Sequence, residues 1–165
     1  MTRSGPHTMS GRCRQAENSG VASRRGRRYG PVSLGPEGGA GGNAYLIEKH
    51  TAPRLHYEFR LELDGVLKSW TITHQPTLDP PVCRVAVPAE DQPVDGLGSG
   101  RSTLWDDGTW QPVGDARKGL AKGRLAFVIH GRRLCGRWRL VRLTESIGDR
   151  HGHNDWLLTK SGNGP

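Results

Sequence analysis

Leu55-His56-Tyr57-Glu58-Phe59-Arg60-Leu61-Glu62-Leu63-Asp64-Gly65-Val66-Leu67-Lys68-Ser69-Trp70-Thr71-Ile72-Thr73 is the stretch that decides the fold class. From Leu55 to Leu63 apolar side chains hold the odd positions, while His56, Glu58, Arg60 and Glu62 hold the even ones. Side chains alternate sides along a strand, so this period of two sets one apolar face on a core and one polar face away from it. Asp64-Gly65 is a two-residue hairpin signal, because both residue types tolerate the positive φ that a tight, right-twisted hairpin needs. A two-residue loop fixes the register. Arg60 falls opposite Ser69, Glu58 opposite Thr71 and His56 opposite Thr73, while Phe59 pairs with Trp70 and Tyr57 with Ile72. Both strands then agree on which face is apolar. Lys68 falls on the apolar side near a strand end, where its stem can carry the amine outward.

Working outward, residues 44–48, 82–87 and 156–160 read as further strands. Asp106-Asp107-Gly108 reads as a second hairpin between residues 102–105 and 109–111, and Gly131-Arg132-Arg133 as a third between 125–130 and 134–143. Residues 116–122 suit one or two helical turns. Short strands with turns at this spacing predict a mostly β fold, a compact antiparallel β-barrel with a few short helical turns and a disordered N-terminal tail. Trp105, Trp110, Trp138 and Trp156 alternate with polar neighbours and suit a core better than base stacking.

Residues 1–43 form the tail: they hold 10 glycines, 7 arginines and only 2 acids, too little apolar surface to offset the entropy of ordering. Residues 44–161 form the domain, and 162–165 a short C-terminal tail. The chain carries 24 Lys+Arg against 16 Asp+Glu, a net charge of +8 that favours polyanionic partners, nucleic acid first. Cys13, Cys83 and Cys135 are odd in number and widely spaced, without a C-x-x-C, which argues against a zinc ribbon or disulfide framework and fits a reducing, intracellular setting. No run approaches a membrane span. The paired arginines at 24–25 and 27–28 precede a polar, glycine-rich stretch, so the expected location is cytoplasmic and nucleoid-associated.

The polar face carries the chemistry. His56 and Glu58 are neighbours about 7 Å apart along one strand face. His50 precedes them across Thr51-Ala52-Pro53-Arg54, a connection that favours a sharp turn back over the same site. Two histidines and a carboxylate suit a divalent metal, and Arg60 beside them suits a phosphate held in two-point contact. A metal there would activate water and neutralise a phosphoryl oxygen. The competing reading is a solvent-facing strand with cross-strand ion pairs. No P-loop, Ser-His-Asp order, dinucleotide fingerprint or nucleotidyl-transfer lysine motif occurs, so this chain alone should not ligate DNA.

The long central block from Ile47-Glu48-Lys49-His50 through Arg54 to Trp70, with Leu78-Asp79-Pro80 and Arg84-Val85-Ala86-Val87, closely resembles the 3′-phosphoesterase domain of bacterial DNA ligase D. Trp105-Asp106-Asp107-Gly108-Thr109-Trp110, Lys118-Gly119-Leu120-Ala121-Lys122-Gly123, Leu134 to Arg142 and Trp156-Leu157-Leu158 look like that family's C-terminal half. The resemblance spans about residues 44–160. It implies a β-barrel that trims DNA 3′ ends with Mn2+, removing a terminal 3′ ribonucleoside and then the 3′ phosphate. It implies metal ligands at His50, His56 and Glu58 and phosphate-binding arginines at Arg60 and Arg84. The implied partners are DNA 3′ ends (primer–template or duplex), a DNA ligase and end-joining proteins, without a membrane.

The departures from the family are specific. Glu58 replaces an aspartate, His74 a lysine, and Gln92 a histidine within Glu90-Asp91-Gln92-Pro93. Gln92 cannot carry a proton or a charge. Gly96 stands at an active-site tyrosine position, and the following glycine-rich segment is shortened to 96–101. These changes motivate a second reading, a catalytically impaired DNA-end-binding or ligase-recruiting module of the same fold. Two other features stand apart. His151-Gly152-His153 reads as a solvated loop. Arg132, Arg133, Arg137 and Arg139 form a basic cluster on the third hairpin that suits either duplex phosphates or plain solvent.

Overall fold

A computed structural model describes residues 43–79, 82–94, 102–144 and 154–162. The tail up to residue 42, Gly96 with the shortened segment, and His151-Gly152-His153 lie outside the described residues. Among those described, eight antiparallel strands close a barrel: β1 (Ala44–His50), β2 (His56–Leu63), β3 (Val66–Ile72), β4 (Cys83–Pro93), β5 (Ser102–Pro112), β6 (Arg124–Gly131), β7 (Cys135–Arg142) and β8 (Trp156–Lys160). The order around the barrel is β1-β2-β3-β4-β8-β7-β6-β5, with β5 returning to β1. The one helix among the described residues, α1 (Ala116–Lys122), is capped by the Asp115 side chain, which accepts from Lys118 N at 3.0 Å. No helix among the described residues is long and apolar enough to cross a membrane.

The β2–β3 hairpin has the expected register: Tyr57 faces Ile72, Glu58 faces Thr71, Phe59 faces Trp70 and Arg60 faces Ser69. Asp64 and Gly65 both take positive φ, 58° and 78°, as a two-residue turn of this hand requires. Lys68 does carry its amine outward, to Asp91 at 2.5 Å. The inward positions fill the barrel with rings and branched chains. Phe59 lies against Tyr45, Trp70 and Phe127, and Trp110, Trp138 and Trp156 are buried around them. Trp105 is only half-buried, edge-on to Tyr57 and under the Arg133 guanidinium.

The second hairpin does not form. Asp106-Asp107-Gly108 lies inside one continuous strand, β5, which pairs with β1 from Ser102 to Thr109. Ile47 faces Asp106 and Glu48 faces Leu104, so Trp105 is an extra residue in a bulge. Asp106 is used for its carboxylate rather than for turning. It is 2% exposed and accepts from Tyr45 Oη at 3.0 Å and from the backbone N–H groups of Arg132, Arg133 and Leu134 at 3.0, 2.8 and 2.9 Å. It thereby holds the β6–β7 turn against β1. Gly108 serves close approach, since a Cβ there would lie 2.1 Å from the His130 carbonyl oxygen.

β4 also runs further than expected. It pairs with β3 down to Pro93, past a register shift, but with β8 only over residues 83–86. The turn between β2 and β3 is tied to α1, where Arg117 Nε and Nη2 donate to Asp64 at 2.7 and 2.5 Å. Those hydrogen bonds hold the exposed Asp64 carboxyl below its usual range.

Two expectations follow. Asp106→Ala leaves three backbone donors and a phenol unpaired, and should cost about 4 kcal/mol in urea unfolding. Burial first, and then the Asp106 charge, push the Tyr45 phenol well above its ordinary value of 10.0. The fold disfavours its ionised form, so the stability it confers is intact below that value and falls as the pH climbs past it. Tyr45→Phe should flatten that alkaline decline in unfolding free energy measured from pH about 9 to 11.5.

Candidate metal centre

β1 and β2 lie side by side with His50 opposite His56, Glu48 opposite Glu58 and Leu46 opposite Arg60. Ile47, Tyr57 and Phe59 between them point into the core, so the polar set shares the outer face. β1 continues past Glu48 to His50, and the turn at residues 51–55 reverses the chain directly. The two imidazoles consequently stack, with centroids 4.7 Å apart and planes 8° from parallel.

One ligand atom from each of His50, His56 and Glu58 lies within 4.8 Å of the others. A first-row divalent ion bonds nitrogen and oxygen at about 2.0–2.2 Å, so its ligand atoms sit at most about 4.4 Å apart. Only a small closure separates the two geometries. His56 Nδ1 lies 2.9 Å from the Arg54 carbonyl oxygen. A carbonyl only accepts, so Nδ1 carries the proton and Nε2 keeps its lone pair, the tautomer a metal-ligating histidine needs. His50 Nε2 is buried without a hydrogen-bond partner, 3.6 Å from Glu58 Oε2. A buried nitrogen in that condition fits a cation. The donor set of two imidazoles and one carboxylate therefore suits a divalent metal.

Arg60 is nearly buried and sits between two carboxylates. Nη1 is 2.8 Å from Glu48 Oε2, and Nη2 contacts Glu58 Oε2. The approach of Nη1 is close but poorly aligned, so it acts on Glu48 as a charge more than as a hydrogen-bond donor; Nε has no partner. Glu48 Oε1 also accepts from Ser102 Oγ at 3.1 Å, which links β5 to the row. Glu48 is the site residue that the sequence reading misses. Its signal was present: it stands two residues before His50 and shares its strand face.

The remaining expected residues lie elsewhere. His74 is exposed, with Nδ1 3.0 Å from Thr73 Oγ1. Arg84 lies opposite Leu158, on the side of β4 that faces the core, and donates from Nε to the Gln75 carbonyl at 2.9 Å. Gln92 lies opposite Leu67, which itself lies opposite Glu62, so Gln92 reaches the same outer face as Arg60. Among the described residues, no hydrogen bond or ion pair joins His74, Arg84 or Gln92 to the His50–His56–Glu58 cluster.

Residues 48–142 match the DNA Ligase D 3′-phosphoesterase domain. The chain belongs to that family. It is 44% identical over 131 residues to the multifunctional non-homologous end joining protein LigD of Pseudomonas aeruginosa, covering 73% of this chain and 15% of that protein. It is 34% identical over 123 residues to the multifunctional non-homologous end joining DNA repair protein LigD of Mycobacterium tuberculosis (66% of this chain) and 30% identical over 115 residues to the LigD of Mycolicibacterium smegmatis (59%). The chain thus spans about 15% of the length of each of these relatives. The matched range begins at Glu48 and includes His50, His56, Glu58 and Arg60, the residues of the candidate metal centre.

Removing the guanidinium should expose the repulsion it offsets. Arg60→Met is expected to destabilise the fold by about 3 kcal/mol in urea unfolding, because two carboxylates are left facing each other. Glu48→Gln/Arg60→Met should cost less than Arg60→Met alone, a non-additivity that identifies the shared ion pair.

Proposed function

We propose that the chain is a metal-dependent DNA 3′-end-processing enzyme that removes a 3′-terminal ribonucleoside and then the 3′ phosphate, with Mn2+ as its metal, in non-homologous end joining. The observation that carries this reading is the convergence of His50, His56 and Glu58 beside Arg60 on one barrel face. Family membership and the printed names of the relatives support the end-joining setting and DNA 3′ ends as the substrate.

His50, His56 and Glu58 would hold the metal, which supplies an activated water and neutralises charge on a phosphoryl oxygen. In release of a 3′ phosphate, water oxygen bonds to phosphorus as the bond to O3′ breaks, leaving a 3′ hydroxyl and inorganic phosphate. Arg60 fixes the Glu58 carboxylate and brings positive charge next to the reacting phosphate. The resemblance, rather than a contact, supports phosphate roles for Arg84, His74 and Gln92. Gln92 reaches the active face but has no proton to give. That observation favours the second reading, a DNA-end-binding or ligase-recruiting module with impaired chemistry. A DNA ligase and other end-joining proteins are the proposed partners, in the cytoplasm at the nucleoid.

The test uses the full chain with Mn2+ and a primer–template ending in 3′ phosphate or a 3′ ribonucleotide. Product should form and should fall at least ~10²-fold in His56→Ala. Independently, Mn2+ should raise the thermal midpoint of the wild type and not that of His50→Ala/His56→Ala, because only a site that binds the folded state stabilises it. Failure to form product with DNA binding intact sinks the enzymatic reading; Gln92→His gaining activity would then place the defect at that residue.

A further inference from the structure

The two halves of the barrel differ in charge. Residues 43–94 hold 5 Lys+Arg against 7 Asp+Glu, whereas residues 102–144 hold 9 Lys+Arg against 3 Asp. Several of the second set are already engaged: Arg117 with Asp64, Arg132 with Asp107, Lys118 with Asp115, Arg133 over Trp105, and Arg142 with Trp156 and the Ala121 carbonyl. Arg124, Arg137 and Arg139 are not. All three are exposed, and none of their guanidinium groups makes an ion pair or hydrogen bond among the described residues.

These three arginines share one face. Arg137 lies opposite Val128, Arg139 opposite Ala126 and Arg124 opposite Val141, with Leu125, Phe127, Trp138 and Leu140 pointing into the core between them. Arg137 and Arg139 are about 7 Å apart along β7, and Arg124 is a diagonal neighbour of Arg139 at a similar distance. An open cleft of about 380 Å³ runs between Arg124 and Arg139 over Ala126 and Val141. A second cleft of about 430 Å³, lined by Lys122, Arg124 and Arg142, continues it beyond the strand ends. The register places no carboxylate on the outer face of β6, β7 or β8.

The position matters as much as the charge. In the closed order, β7 lies four places from β2, on the opposite wall of an eight-stranded ring. A phosphate held by Arg137 and Arg139 is therefore not the phosphate held beside His56 and Arg60. We propose that the outer face of β6–β7 is a second nucleic-acid surface, which tracks the phosphate backbone of a duplex segment distinct from the end at the metal centre. Unpartnered guanidinium forks match phosphate oxygens in two-point contact. A shallow, open floor of Ala126, Val128 and Val141 admits a rounded backbone without reading bases. The inference holds whether or not the metal centre is catalytic.

A closed dumbbell duplex with no free ends separates this face from any end-binding site. The full chain, titrated with it from about 50 to 200 mM salt, should bind with a steep salt dependence. Arg124→Ala/Arg137→Ala/Arg139→Ala should weaken binding at least 10-fold at the low-salt end and reduce the log–log salt slope by roughly 2 to 3, near 0.9 per lost phosphate contact. His50→Ala/His56→Ala should leave both quantities unchanged. Arg137→Gln/Arg139→Gln, expected to lose about 2 from the slope, serves if the triple variant does not keep the wild-type circular dichroism. Wild-type affinity and slope in a folded variant overturn the proposal, as does failure of the wild type to bind the dumbbell. Polyglutamate, titrated in parallel as a probe for an acidic protein, gives the last outcome: a triple variant that loses polyglutamate binding but keeps dumbbell binding overturns the proposal and assigns the face to an acidic protein.

Discussion

Glu48 and Glu58 face each other across the β1–β2 ladder, and the Arg60 guanidinium lies between them. Two like charges directly opposed destabilise a strand pair, and burial strengthens the repulsion. With Arg60 in place the pair becomes a framework. Glu58 is held near His50, Glu48 is held by Ser102 of β5, and three strands are fastened along one polar line. Arg60 thus has a structural task that precedes any substrate. The Glu58 side chain belongs to the same balance, because it is long enough to meet both Arg60 and His50.

Local features of the sequence were legible wherever neighbours in the chain are neighbours in space. Alternation in residues 55–63 and the Asp64-Gly65 turn gave the β2–β3 register pair by pair, and the short connection after His50 brought it back over His56. What escaped depends on distant partners. Asp106-Asp107-Gly108 has turn composition, yet its role is set by the β6–β7 backbone some 26 to 28 residues later, which no local pattern encodes. Glu48 escapes because its place on the polar face is set by its partner Glu58 across the ladder, and its own short strand shows too few alternations to mark a face. Gln92 takes the outer face, opposite to that of Arg84, because of a register shift between β3 and β4 that alternation alone does not reveal.

The division of charge gives the barrel two dissimilar walls. On one, carboxylates outnumber the cations and are fitted around two histidines, a composition that suits a small, hard cation. On the other, arginines stand without acids. A polyanion would meet repulsion at the first wall and attraction at the second.

The overhang of β4 has a further consequence. Residues 87–93 pair with β3 on one side and have no strand on the β8 side among the described residues. Exposed ladder groups of this kind invite pairing with a foreign strand. The overhang carries Pro88, Glu90, Asp91 and Pro93, with a bulge among them. Prolines remove donors, charges resist apolar docking, and the bulge turns the edge out of plane. The segment that carries Gln92 is thus blunted against aggregation while supported, among the described residues, from one side only. Among the described residues β3 alone holds this part of β4 in the sheet, so substitutions at residues 87–93 bear on the β3–β4 ladder and leave the β4–β8 pairs at residues 83–86 in place.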